Sequence, residues 1–85
     1  MRADTLGLLA EAVQLARDLG YDIQEEQLGD TSGGLCRVGK VRRILLNIAE
    51  PPAEQLEQLL EILAADDQWP TIPVSRLLAG RLRQG

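Results

Sequence analysis

The dipeptide Gly39-Lys40, set between Val38 and Val41, limits more than any other feature how this chain can fold. A two-residue loop with glycine first fits a type II′ turn, whose twist matches that of the strands it joins. The turn fixes a register in which Val38 faces Val41, Arg37 faces Arg42, Cys36 faces Arg43 and Leu35 faces Ile44. Side chains alternate across a strand, so the register sorts residues by face. Leu35, Arg37, Arg42, Ile44, Leu46 and Ile48 share one face; Cys36, Val38, Val41, Arg43, Leu45 and Asn47 share the other. Both faces have apolar members, so residues 44–48 read as a central strand covered on both sides. The helices available to so small a chain can cover one face. The second then calls for a partner, and the simplest partner is another copy.

Around the hairpin, the spacing of apolar residues predicts three helices. Asp4 or Thr5 can cap the first, whose stripe is Leu8, Ala12, Leu15 and Leu19, with Gly20 placed just past its end. Residues 21–28 alternate weakly and carry Asp22, Glu25 and Glu26, which suits an edge strand because acidic side chains discourage further pairing. Residues 29–34, GDTSGG, form a loop. Pro51 or Pro52 opens a second helix with Leu56, Leu59, Leu60 and Leu63 inward. It ends near Ala65, and Trp69, before Pro70, is expected to be extended. Pro73 opens a last helix with Val74, Leu77, Leu78 and Leu82 inward. The order α-β-β-β-α-α predicts an α+β fold: a three-stranded antiparallel meander packed against helices.

Residues 1–85 make a single domain, one that buries only about 60% of its unfolded surface. An apolar fraction of 45% argues for a packed core, which must be aliphatic because Phe is absent and Trp and Tyr occur once each. The net charge of −4 argues against general nucleic-acid binding. A lone cysteine fits a reducing compartment, no apolar run is long enough to cross a membrane, and the start MRADTLGLLAEA is charged where a secretion signal would be apolar. Together these features predict a cytoplasmic protein.

Several motifs suggest chemistry. GDTSGG resembles the GDSGG around the nucleophile of trypsin-like serine proteases, but Thr31 interrupts the match and the chain has no histidine, so Ser32 has no relay to activate it. A phosphate cradle there lacks the Gly-Lys-Ser/Thr continuation. Cys36 is expected to be a small buried hydrophobe, although Arg37 or Arg43 beside it would favour a reactive thiolate. Zinc would have only carboxylates and one thiol to bind it. Glu54, Glu57 and Glu61 read as a solvated helix face. Arg37, Lys40, Arg42 and Arg43 form either an anion patch or partners for the acidic strand, and no aromatic residue is interleaved to stack on bases.

In layout the element order resembles the zincin-like core of small bacterial metallopeptidases, whose HExxH would fall on the helix holding QLEQLLEIL, residues 55–63. With no histidine present, the resemblance implies neither metal binding nor peptidase activity. GGLCRVGKVRRILLN followed by PPAEQLEQLLEIL is also similar to a widespread type of small bacterial protein that has no known activity to transfer.

The reading that follows is a small non-catalytic bacterial protein, without cofactor or metal, that acts through protein–protein contacts as a homodimer. Its candidate surface is Val38, Val41, Arg43 and Leu45. The alternative is an anion- or nucleic-acid-binding module using Arg37, Lys40, Arg42 and Arg43.

Overall fold

A computed structural model describes residues 4–31 and 33–84; Ser32 lies outside them. The elements run α1 (Thr5–Asp18), β1 (Asp22–Glu26), β2 (Gly34–Val38), β3 (Val41–Asn47), α2 (Pro52–Ala64), a 3-10 turn (Trp69–Thr71) and α3 (Arg76–Gln84). The fold is α+β.

The sheet is not a meander. Its order is β1-β3-β2, with β2 antiparallel and β1 parallel to the central β3. The physical reason lies in composition. A meander would put β2, with Arg37 and Cys36, in the middle and leave β3 at an edge. Placing β3 centrally instead buries Ile44 and Leu46 almost completely, and each such side chain stabilises the fold by about 1.5–3 kcal/mol. The acidic β1 takes an edge, as its charges suggest.

This order obliges the connection from β1 to β2 to pass from one edge of the sheet to the other, around the end of β3. Asn47 holds the crossing. Its Oδ1 accepts from the Leu28 and Ala49 amides, and its Nδ2 donates to the Gly29 and Thr31 carbonyls, all at 2.9–3.0 Å. Its side chain is therefore fully satisfied although the residue is buried.

The core joins Leu8, Ala12, Leu15 and Ala16 of α1 to Leu56, Leu59, Leu60 and Leu63 of α2. Helix α1 ends in a Schellman motif: the Gly20 amide donates to the Arg17 carbonyl and the Tyr21 amide to the Ala16 carbonyl. Helix α2 starts with Pro52 at its first position, where a missing amide costs nothing.

Two details near the C-terminus differ from expectation. Trp69 opens the 3-10 turn instead of being extended: its ring is buried, with the Arg83 guanidinium 5.4 Å from its centroid. Helix α3 starts at Arg76 rather than Pro73, because Ser75 caps it: Ser75 Oγ accepts from the Leu78 amide and donates to Glu11. Leu78 and Leu82, four residues apart, form the buried stripe, and Leu77 turns outward.

Candidate interaction surface

The hairpin turn has Gly39 at φ +62° and Lys40 at negative φ, the type II′ pattern, and the strand register is the one the turn dictates. The helices gather on the face that carries Ile44 and Leu46, so the opposite face is open. There Val41, Arg43 and Leu45 lie at alternate positions of β3, with Val38 across from Val41. The structure thus brings all four candidate surface residues together. Val38 and Val41 are about half exposed; Arg43 and Leu45 are half-buried. Cys36 joins them and is half-buried rather than buried, because no helix covers this side of β2.

The four basic residues do not converge. Arg43 stays on the open face, where its Nε donates to Asp22 Oδ2 at 2.8 Å. That bond, then the Gln24 amide, holds the Asp22 carboxyl below its ordinary value. Arg42 points to the helix side. Its Nη2 donates to the Leu19 carbonyl at 2.7 Å, its Nη1 lies 3.4 Å from Asp66 Oδ2, and its guanidinium sits 4.1 Å from the Tyr21 ring centroid. Of these four, Arg37 and Lys40 are exposed and have no ion pair among the described residues.

Arg42 belongs to a buried polar cluster that no local spacing in the sequence reveals, since positions 21, 42 and 66 come from three separate segments. The Tyr21 hydroxyl donates to Asp66 Oδ2 at 2.7 Å, and the Gln68 amide donates to Asp66 Oδ1 at 2.8 Å. Burial alone would raise the Asp66 carboxyl, but the Tyr21 hydroxyl, the Gln68 amide and Arg42 outweigh it and hold the carboxyl below its ordinary value. Burial, then Asp66, pushes the Tyr21 hydroxyl up. The cluster ties the end of α1 to β3 and to the loop after α2. It is a structural clamp.

The clamp predicts a pH dependence. With the Asp66 carboxyl lower in the native than in the unfolded chain, the unfolded chain takes up the proton first as pH falls. The contribution of Asp66 is therefore present above about pH 4, the ordinary carboxylate value, and is lost as pH drops through the lower native value. Urea midpoints from pH 7 to 2.5 should converge for the wild type and Asp66→Asn at the acid end. A constant gap between them would show that the carboxylate's charge is irrelevant to the clamp.

On the helix side, a cleft of about 310 Å³ runs between the outer edge of β2 and α2, lined by Gly33, Gly34, Leu35, Gln58, Glu61 and Ile62. Leu35 is 53% exposed there. Sequence spacing gives no sign of this cleft, because Leu35 and Glu61 meet only through the tertiary packing of α2. Glu57 of the acidic helix face pairs with Arg81, whereas Glu61 has no ion pair among the described residues. Those residues contain no group of three or more His, Cys, Asp or Glu side chains placed to hold a metal. No helix among them is long and apolar enough to cross a membrane. No protein-family model, curated protein or solved structure matches the chain.

Proposed function

We propose that this is a small cytoplasmic, non-catalytic protein that works through protein–protein contacts and self-associates as a homodimer. The contact surface is the hairpin, with Val38, Val41, Arg43 and Leu45 of its open face. One observation carries the reading. Among the large apolar side chains left exposed, Val38 and Val41 pair on the open face, 52% and 45% exposed, and Leu35 stands on the helix-side face of the same hairpin, 53% exposed. Scattered apolar residues on a surface are ordinary, whereas a cluster on strands marks a place where another chain fits. The lone cysteine supports a reducing compartment.

Size-exclusion chromatography with light scattering tests the reading. The expected result is twice the chain mass of 9.3 kDa at micromolar concentration, with Val38→Glu shifting the population toward monomer. A monomer at every concentration up to the millimolar range would overturn it.

A further inference from the structure

Resting on the homodimer reading, we infer how the two copies meet: β2 pairs with β2 of a second copy, antiparallel, about a two-fold axis through Cys36. The two free edges of the sheet differ. The β1 edge carries Asp22, Glu25 and Glu26, which repel a second β1. The β2 edge reads Gly34-Leu35-Cys36-Arg37-Val38 and has no acid.

The phase of the hydrogen bonds sets which residues can bond outward. In a hairpin with a two-residue turn, the residues flanking the turn form a hydrogen-bonded pair, and such pairs alternate along the ladder. With the observed register, Val38, Cys36 and Gly34 spend their amides and carbonyls on β3. Leu35 and Arg37 aim theirs away from the sheet, and no turn, loop or cap bond reaches them among the described residues.

A second β2 laid antiparallel satisfies these groups. Leu35 exchanges both bonds with the partner's Arg37, and Arg37 does the same with the partner's Leu35. Cys36 then faces the partner's Cys36 in a non-hydrogen-bonded pair, where side chains come closest. On the open face Val38 lies opposite the partner's Gly34, which leaves it room. The result is a continuous six-stranded sheet.

Charge selects the same arrangement. Arg37 shares the helix-side face of β2 with Leu35, so pairing sets it beside the partner's Leu35. Leu35 lines the cleft that Glu61 also lines. Each unpaired Arg37 thereby enters the partner's cleft, toward the partner's unpaired Glu61, and the symmetry makes the contact twice. Gln58 offers a second acceptor: its Oε1 is buried in the same cleft without a hydrogen-bond partner among the described residues.

Charge reversal tests this without disturbing the monomer core, because both side chains are exposed. Arg37→Glu alone and Glu61→Arg alone should each sediment as monomers, since each places like charges in both clefts. Mixed in equal amounts, the two variants should form a heterodimer, because each cleft again holds one acid and one base. Diamide, a thiol oxidant that takes up the two hydrogens released, should link wild-type Cys36 to the partner's Cys36 in high yield. An Arg37→Glu dimer, or a mixture that stays monomeric, would overturn the edge seam while leaving self-association intact. A monomeric wild type would overturn both.

Discussion

Asn47→Leu is expected to cost the protein about 3–5 kcal/mol, most of the stability a domain of this size has to lose. Leucine keeps the branched shape, in somewhat bulkier form, but can make none of the four hydrogen bonds. The Leu28 amide and the Gly29 and Thr31 carbonyls of the crossing segment, and the Ala49 amide after β3, would lose their partner, and each polar group left buried and unpaired costs about 1–3 kcal/mol. Some of the cost is recovered because Gly29 and Thr31 lie at the surface, where water can reach them. The measurement is a urea denaturation curve at pH 7. A fall in midpoint with an unchanged slope would show a stability loss without partial unfolding. Asn47→Asp separates the donors from the acceptors: it keeps Oδ1 for Leu28 and Ala49 but sets an oxygen against the Gly29 and Thr31 carbonyls. It should be nearly as damaging. A loss below about 1 kcal/mol for Asn47→Leu would mean that the crossing is held by something else.

The second large effect belongs to Gly33→Ala. A Cβ at this position would lie 2.1 Å from the Leu45 carbonyl oxygen and 3.0 Å from its carbon. Both atoms are backbone of the central strand, and β3 is held on both edges, so it cannot give way as a flexible side chain would. Overpacking usually costs about 1–3 kcal/mol, and a rigid obstacle puts this change at or above the top of that range. Gly80→Ala is the control. Nothing lies within 4 Å of a Cβ there, and the position is an exposed one in α3. Alanine favours a helix over glycine by up to about 1 kcal/mol, so this variant should be more stable than the wild type. Thermal melts of the two variants should move in opposite directions. A shared direction would show that the contact at Gly33 relaxes cheaply.

How much of this was legible in the sequence depends on the distance over which each signal acts. The hairpin register was fully legible, because a glycine-led two-residue turn allows few alternatives. The helical stripes were legible too, apart from Leu77, which lies a third of a turn from the Leu78–Leu82 line. The place of β1 was not. The sequence suggests both a meander and a central strand at residues 44–48, and those expectations exclude each other. A meander follows from chain order alone, whereas the buried apolar area of Ile44 and Leu46 decides the outcome. Asn47 carries only a weak signal in the sequence: a single amide closing the apolar run Ile44–Leu46. In the sequence Arg42 is one of four basic residues on the hairpin, suited to an anion patch or to pairing with the acidic strand. Its fate is set instead by Tyr21, Leu19 and Asp66, which reach it only in the folded chain. Of the interaction surface, the open-face residues could be sorted by alternation. The cleft beside Leu35 depends on where α2 comes to rest.

The parallel pairing of β1 with β3 has a consequence for how the chain is made. Ile23 pairs with Ile44, some twenty residues further along. A ribosome adds about 5–20 residues per second, so β1 waits roughly one to four seconds before its partner strand is even synthesised, and longer before that strand clears the exit tunnel. During that interval it is an extended segment with no neighbour to bond, the situation in which nascent chains stick to one another. Its outward side chains at that moment include Asp22, Glu25 and Glu26. The charges that guard the finished edge strand would thus act earlier still, keeping polysome-bound copies apart until the hairpin arrives to take β1 in.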